Sequence, residues 1–258
     1  MATQPAPVTA GTAETESRVA VVTGGGSGIG RATAARLATE GFRVAVIDID
    51  AEAAAGAAGE AGIGIGADVA EPVHVERAIR QVIDSFDHID VLVNNAGITG
   101  SAAATVCHET PVEEWDRVFA VNARGAFLCA RATLPDMVRR GHGHVITVAS
   151  TAGLVAFPGR CAYTASKGAA LQLTRSLAVD YAGAGIRANA VCPGFVQTPM
   201  TQWRLDVPEL RARVEADIPL GRVAQPDEIA EAIVLLASDR LAYMTGHAFV
   251  IDGGWTAR

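Results

Sequence analysis

Aromatic residues, excess basic charge and long apolar runs are all scarce in this chain. Half of its 258 residues are hydrophobic but only 5% are aromatic, so a core must be built from Ala, Val, Ile and Leu. No apolar run approaches the roughly 18 residues that a membrane-spanning helix needs. The net charge of -7 argues against nucleic acid or an anionic membrane surface as a partner.

Cysteine is also sparse, and its spacing suits neither a metal site nor a disulfide framework. The four cysteines form no CxxC pair and have no histidine cluster beside them. They are Cys107, Cys129, Cys161 and Cys192. We interpret them as reduced thiols, predict no bound metal and expect a cytoplasmic protein.

The N-terminal segment has neither the basic start nor the apolar stretch of a secretory signal. Glu14 and Glu16 also argue against a transit peptide, which would be rich in arginine and poor in acids. We therefore predict a disordered tail over residues 1–17 and one domain over residues 18–258.

Short apolar segments alternate with helix-like segments along nearly the whole chain. Strands are predicted at 18–23, 43–48, 63–67, 89–94, 144–148, 186–192 and 247–251. Helices are predicted at 31–40, 51–62, 72–86, 111–140 with a bend at Pro135, 163–181 and 226–237, with a polar, helical segment at 199–215. Continuous apolar strands fit a sheet buried on both faces. The alternation predicts an α/β fold, a single Rossmann-type doubly wound parallel sheet of seven strands with helices on both faces.

Glycines crowd the turn between the first predicted strand and the first predicted helix. The stretch reads Thr23-Gly24-Gly25-Gly26-Ser27-Gly28-Ile29-Gly30. Glycines there let the backbone approach a pyrophosphate, and the N-terminus of the following helix favours its negative charge. The spacing differs from the common GxGxxG pattern, and a tight turn without a ligand is the alternative.

Asp48 closes the second predicted strand, 18 residues after Gly30. A carboxylate at this point can accept hydrogen bonds from a ribose diol and repels a 2′-phosphate. Ser27 leaves the glycine turn without a basic residue that could pair with such a phosphate. We therefore predict NAD as the cofactor, with an exposed loop acid as the alternative interpretation of Asp48.

Two further strand ends carry residues that suit a dinucleotide site. Asp68-Val69 follows the third predicted strand, where the aspartate could receive the adenine amino group or cap the next helix. Asn94-Asn95-Ala96-Gly97 ends the fourth strand at the carboxyl edge, where ligands bind in open α/β sheets. Small residues there would let a cofactor pass close to the backbone, and an Asn-Gly-type turn is the alternative.

Tyr163 and Lys167 lie four residues apart in a predicted helix, hence on one face and one turn apart. An ammonium held beside a phenol favours the phenolate and so lowers the pKa of the tyrosine. Such a tyrosine could serve as a general acid/base near neutral pH. Because this spacing is common on ordinary helices, the interpretation depends on the motifs around it.

Taken in order, the motifs resemble those of the short-chain dehydrogenase/reductase family over about residues 18 to 255. They are Thr23-Gly24-x3-Gly28-x-Gly30, Asn94-Asn95-Ala96-Gly97, Asn122, Ser150, Tyr163-x3-Lys167, and Pro193-Gly194 with Thr198. Ser150 precedes Tyr163 by 13 residues, a spacing typical of the family. The segments 153–156 and 243–257 are similar to dihydroanticapsin-type and cyclic-alcohol dehydrogenases.

The resemblance implies a role for each matched residue. Tyr163 would exchange a proton with the substrate oxygen, Ser150 would hydrogen-bond that oxygen, and Lys167 would lower the pKa of the tyrosine and hold the nicotinamide ribose. Asn122 would hold a water in a proton relay through Lys167, and Thr198 would contact the nicotinamide carboxamide or phosphate. The predicted cofactor-binding residues are Gly24, Ser27, Gly28, Ile29, Gly30, Asp48, Ile49, Asp68, Val69, Asn95, Ala96, Gly97, Tyr163, Lys167, Pro193, Gly194, Val196 and Thr198. Family members are mostly homotetramers, so a homotetramer or homodimer is expected.

The substrate is expected to be a small-to-medium, partly apolar or alicyclic secondary alcohol, or its ketone. The candidate pocket segments are mostly apolar, and no arginine is evidently aimed at a carboxylate. The predicted pocket residues are Ser150, Thr151, Gly153, Leu154, Phe157, Cys161, Tyr163, Phe195, Met200 and Trp203, of which the apolar ones could equally belong to the core.

Two other functions compete with an NAD-dependent alcohol dehydrogenase. One is an NADP-dependent carbonyl reductase acting on 3-oxoacyl compounds or sugar alcohols, against which Asp48 argues. The other is a non-catalytic dinucleotide sensor, which would keep the glycine turn and lose the proton-transfer group. This chain retains both, so the enzyme is the better interpretation.

Asp48 gives the first testable prediction. The substitution Asp48→Ser should relax cofactor choice, because it removes the carboxylate that repels a 2′-phosphate. We expect the ratio of kcat/KM with NAD to kcat/KM with NADP to fall in the variant. A wild-type enzyme that already prefers NADPH would contradict the ribose assignment.

Overall fold

The structure, a computed structural model, describes residues 17–257. The tail predicted over residues 1–17 therefore lies outside the described residues except for Ser17. Within the described range, no helix combines the length and the apolar character needed to cross a membrane.

Seven short strands form one sheet. They are β1 (Val19–Thr23), β2 (Arg43–Asp48), β3 (Ile63–Gly66), β4 (Val91–Asn94), β5 (Gly143–Val148), β6 (Ile186–Pro193) and β7 (Ala248–Ile251). Their order is β3-β2-β1-β4-β5-β6-β7, and every pair of neighbours is parallel. The strands of the centre are fully buried, as their continuous apolar runs predict. The predicted doubly wound parallel sheet is confirmed.

Helices cover both faces of this sheet. They are α1 (Gly28–Thr39), α2 (Ala51–Ala58), α3 (Pro72–Phe86), α4 (Val112–Phe119), α5 (Ala126–Arg140), α6 (Cys161–Tyr181), α7 (Pro199–Leu205), α8 (Pro208–Ala216) and α9 (Pro226–Ala237). On one face, α1, α2 and α9 pack through residues such as Leu37 and Ile233. On the other face, α3, α5 and α6 pack through residues such as Ile79 and Met137.

Several boundaries differ from the sequence-based predictions. Helix α1 begins at Gly28 rather than Arg31, so the last glycines of the turn belong to its first turn. Helix α2 ends at Ala58, because Gly59 adopts a φ of 70° that stops it. The segment 199–215 forms two helices, α7 and α8, rather than one.

The helix predicted over 111–140 is interrupted, but not at Pro135. Helices α4 and α5 are joined by a π-helical segment, Ala120–Gly125, while Pro135 lies inside α5. Such π segments are rare and are found frequently at functional sites. The interruption contains Asn122.

The order of the strands reverses between β1 and β4. The connections after β1 run to one side of the sheet, and those after β4 run to the other. The carboxyl ends of these two strands therefore border an open crevice, the place where open α/β sheets bind their ligands.

Candidate active site

A cofactor-sized crevice of about 350 Å³ opens at this edge of the sheet. Every residue predicted to bind cofactor lines it except Gly30. Residues outside the prediction also line it, namely Ile47, Ala67, Ile98, Val121, Val148, Ala149, Pro199, Met200 and Thr201. Most of these are apolar neighbours of the motif residues, and only the folded chain shows that they face the crevice.

The glycine turn is packed tightly against the end of β4. Gly24 has a φ of 61°, and a Cβ on it would lie 2.7 Å from the Cα of Ala96. A Cβ on Gly30 would lie 2.2 Å from the carbonyl oxygen of Gly24 and 2.4 Å from Nδ2 of Asn95. Gly30 therefore allows close packing behind the crevice, and its predicted contact with the cofactor stays a prediction.

Asn95 ties the turn to β4 through its side chain. Its Nδ2 donates to the carbonyl oxygens of Thr23 at 3.0 Å and Gly24 at 2.9 Å. In return, Oγ1 of Thr23 accepts from the backbone amides of Asn95 and Ala96, both at 3.1 Å. The crevice floor is thus held by reciprocal hydrogen bonds between two strand ends.

Asp48 stands beside the turn with its carboxylate oriented by backbone donors. Its Oδ2 accepts from the amide of Gly26 at 2.8 Å, and its Oδ1 accepts from the amide of Asp50 at 3.1 Å. Among the described residues that line this crevice, Lys167 is the only cation. A carboxylate so placed suits a ribose diol and disfavours a 2′-phosphate.

Asp68 is compatible with both interpretations left open by the sequence. It lines the crevice with Val69, and its Oδ1 also accepts from the amide of Ala70 at 2.9 Å. Its second carboxylate oxygen retains the capacity to accept a hydrogen bond from an adenine amino group.

Ser150 and Lys167 approach Tyr163 from β5 and from one turn further along α6. The buried hydroxyl of Ser150 lies beside the phenol of Tyr163, whose ionised form it favours, and it accepts from the amide of Ala152 at 3.1 Å. Nζ of Lys167 is buried, donates to the carbonyl oxygen of Val148 at 2.8 Å, and lies 5.8 Å from the centre of the tyrosine ring.

Burial shifts the proton equilibria of both side chains. Burial raises the pKa of Tyr163 above its ordinary value, and the hydrogen bond from Ser150 offsets only part of this rise. Burial also lowers the pKa of Lys167 to about 8. The lowered tyrosine pKa expected from the sequence is thus not found, because desolvation of the phenolate outweighs its stabilising contacts.

Asn122 is buried in the π segment, and its side chain is held by the protein. Its Nδ2 donates to the carbonyl oxygen of Ile98 at 2.8 Å and to Oγ of Ser166 at 2.9 Å. Its Oδ1 accepts from the amide of Ile98 at 2.8 Å. Ser166 in turn donates to the carbonyl oxygen of Tyr163 at 2.8 Å. Asn122 therefore links the β4 edge to the tyrosine's helix, and its part in a water relay stays a prediction.

A second crevice of about 360 Å³ opens beside Ser150 and Tyr163. It is lined by Thr99, Ser150, Thr151, Phe157, Pro158, Arg160, Tyr163, Gly194, Phe195, Met200, Thr201, Trp203 and Arg204. We call it the substrate crevice, since it adjoins Ser150 and Tyr163, the two residues predicted to act on the substrate oxygen.

Three residues predicted for the pocket do not line the substrate crevice. Leu154 is 40% exposed to solvent. Sγ of Cys161 lies 3.5 Å from Oγ1 of Thr110 instead. Gly153 packs against α6, where a Cβ would lie 2.8 Å from the carbonyl oxygen of Lys167.

Two arginines that are not among the predicted pocket residues lie at the substrate crevice. Arg160 and Arg204 both line the substrate crevice, and neither forms an ion pair with any described residue. Nη1 of Arg160 lies 3.5 Å from the carbonyl oxygens of Ser101 and Ala104. The position of Arg160 one turn before Tyr163 is a sequence signal that could have indicated it. The position of Arg204 at the crevice has no such sequence signal, because it depends on how α7 folds over the crevice.

The fold and the two adjoining crevices define a dinucleotide-dependent oxidoreductase of the α/β class. A family model described as enoyl-(acyl carrier protein) reductase matches residues 24–256. The 2-(R)-hydroxypropyl-CoM dehydrogenase of Xanthobacter autotrophicus is 52% identical over 248 residues, covering 93% of this chain and 99% of that protein. The chain belongs to the short-chain dehydrogenase/reductase family, as the sequence motifs predict.

Two further comparisons support this assignment. Cyclopentanol dehydrogenase of Comamonas sp. is 39% identical over 246 residues, covering 93% of this chain and 97% of that protein. The crystal structure of 3-ketoacyl-(acyl-carrier-protein) reductase from Brucella melitensis complexed with NADH matches with a TM-score of 0.86 at 34% identity, covering 93% of this chain and 99% of that one. These relatives are consistent with a dehydrogenase of the cyclic-alcohol type that binds a nicotinamide dinucleotide.

Gly30 offers a test of the close packing behind the crevice. Gly30→Ala should destabilise the fold by about 1–3 kcal/mol, because the new methyl overpacks against Gly24 and Asn95. It should also weaken NADH binding, measured by calorimetry. The control is Gly56→Ala in α2, where a Cβ meets nothing within 4 Å and stability should rise by about 0.5–1 kcal/mol. An unchanged melting temperature and NADH affinity in Gly30→Ala would disprove the packing argument.

Proposed function

We propose that the protein is an NAD-dependent dehydrogenase that interconverts a secondary alcohol and its ketone, with Tyr163 as the general acid/base. The observation that carries this proposal is that Ser150 and Tyr163 line both crevices. The proton-transfer group therefore lies where a bound dinucleotide and a bound alcohol would meet.

The chain's own residues account for the movement of the proton. In alcohol oxidation, the phenolate of Tyr163 removes the hydroxyl proton while the hydroxyl of Ser150 donates a hydrogen bond to the same oxygen. The buried ammonium of Lys167 on the same face of α6 favours the ionised phenol. Bound NAD supplies the acceptor for the hydride that leaves the carbinol carbon. In the reverse direction, Tyr163 returns the proton to the ketone oxygen.

NAD is favoured over NADP by the surroundings of Asp48. Its carboxylate is fixed by the amides of Gly26 and Asp50, so it cannot readily turn away from a ribose. A 2′-phosphate would meet this negative charge without a compensating cation from the described lining residues. An NADP-dependent 3-oxoacyl or sugar-alcohol reductase fits this site less well.

The substrate crevice favours an alcohol that carries an anionic group away from the carbinol. Arg160 and Arg204 are cations without acidic partners among the described residues, in a crevice whose lining includes the aromatic residues Phe157, Phe195 and Trp203. Arginine binds carboxylate and phosphate groups through paired hydrogen bonds. The 52% identical relative acts on a hydroxypropyl compound, which also suits a short secondary alcohol. The purely apolar or alicyclic substrate expected from the sequence is the second candidate, supported by the likeness to cyclopentanol dehydrogenase.

The role of Tyr163 is tested with Tyr163→Phe. We expect kcat for alcohol oxidation to fall by about 10²–10⁴-fold, because the acid/base is removed. The affinity for NADH should be unchanged by calorimetry. Tyr181→Phe, at the far end of the same helix, is the control and should retain full activity. Turnover by Tyr163→Phe as fast as by the wild type would disprove the assignment.

The anionic group is tested with pairs of alcohols that differ only in charge: 3-hydroxybutanoate against 2-butanol, and 5-hydroxyhexanoate against 2-hexanol. Arg160→Ala and Arg204→Ala should each raise KM for the preferred acid by about tenfold or more, since each removes a charged hydrogen bond. KM for the matching neutral alcohol should change little. Arg175→Ala, which removes an exposed arginine of α6, is the control. Equal changes in KM for the acid and for its matching neutral alcohol would contradict the proposal that the substrate carries an anionic group.

A further inference from the structure

One wall of the substrate crevice is a loop with little support of its own. Residues 154–160 connect the short helical turn after Ser150 to α6. The loop contributes Phe157, Pro158 and Arg160 to the crevice. The side chains of its first residues, Leu154 and Val155, are exposed, so these residues are held only through their amides, which both donate to the carbonyl oxygen of Thr151 at 2.9 Å.

The loop is braced from behind by aromatic contacts. The ring of Phe157 stacks on the indole of Trp255, with centroids 4.8 Å apart and planes 19° apart. It also meets the edge of Phe195, with centroids 5.9 Å apart and planes 65° apart. Phe195 lines the crevice, whereas Trp255 does not. Trp255 therefore reaches the substrate crevice through Phe157, and it also packs with Phe195 against the apolar cluster of Leu205, Val214, Ile218 and Val223.

Trp255 is itself held in a well-fixed turn at the C-terminal end. The carboxylate of Asp252 accepts from the amide of Gly254 at 2.9 Å, and from the amide and hydroxyl of Thr256 at 2.8 Å and 2.6 Å. The amide of Leu220 donates to the carbonyl oxygen of Gly253 at 3.1 Å. The turn is thus attached both to itself and to the segment after α8.

We infer that Trp255 is a positioning residue for the substrate crevice. By stacking on Phe157, it holds the loop 154–160 in the conformation that shapes the crevice wall and presents Arg160. This inference rests on the proposed function only in assigning this crevice to the alcohol. The bracing of the loop is a property of the chain without substrate.

Hydrogen–deuterium exchange of the full chain tests the bracing without any substrate. Trp255→Leu should speed exchange in the loop 154–160 while leaving β1 and β4 unchanged, and Trp255→Phe should restore the wild-type rate. The matched control is Trp115→Leu, which removes a stack of similar geometry on Phe119 (4.7 Å, 21°) that lines neither crevice. It should leave the loop unchanged.

Kinetics with 2-hexanol and NAD supply the functional readout. Trp255→Leu should raise KM by about fivefold, the loss that one aromatic pair represents, with kcat and NADH affinity retained. Trp255→Phe should return KM to near its wild-type value.

Loop exchange equal to the wild type in Trp255→Leu, or faster exchange spread evenly over the sheet, would overturn the inference. Loop-confined exchange with an unchanged KM would keep the brace but overturn its role in the crevice. Failure of the proposed chemistry would show separately, as turnover that survives Tyr163→Phe.

Discussion

The site depends on the contact between the glycine turn and the end of β4. The reversal of strand order separates the connections after β1 and β4, and leaves their carboxyl ends to form the crevice floor. Asn95 and Thr23 bridge these ends by reciprocal hydrogen bonds. Gly24 and Gly30 permit the approach because neither position has room for a Cβ. The glycines thus serve the packing of the floor as much as the approach of a phosphate.

Burial of the proton-transfer group is the second constraint. The same desolvation raises the pKa of Tyr163 and lowers that of Lys167, so each residue is pushed toward its neutral form. Charges in such a place act through a low dielectric and are strong when they are paired. The hydrogen bond from Lys167 to the carbonyl oxygen of Val148 holds the ammonium in place, and Ser150 lies beside the phenol. With a pKa of about 8, Lys167 still carries its charge at neutral pH and can stabilise a phenolate on the same face of α6.

Local chemistry explains which parts of the molecule could be predicted. Helices α3 and α9 match their predicted bounds, since each begins at a proline and carries an apolar face. The residues expected to line the cofactor crevice follow strand ends, and a parallel sheet brings strand ends to one edge. The π segment was not predictable, because it depends on Asn122 bonding to Ile98, a residue 24 positions away. Arg204 of α7 was missed for the same reason, because its position at the crevice depends on how α7 packs in the folded chain.

The chain separates the chemistry of the reaction from the choice of substrate. Ser150, Tyr163 and Lys167 are fixed by the sheet edge and by α6, which also form the core. The wall of the substrate crevice comes from the loop 154–160 and from α7, which are partly exposed and have few core contacts. Changes there alter size and charge without disturbing the proton transfer, because they leave the sheet intact. This separation explains how one family can contain both a hydroxypropyl-CoM dehydrogenase and a cyclopentanol dehydrogenase. In the proposed function, Arg160 and Arg204 of the crevice wall, rather than the proposed catalytic residues, select the substrate.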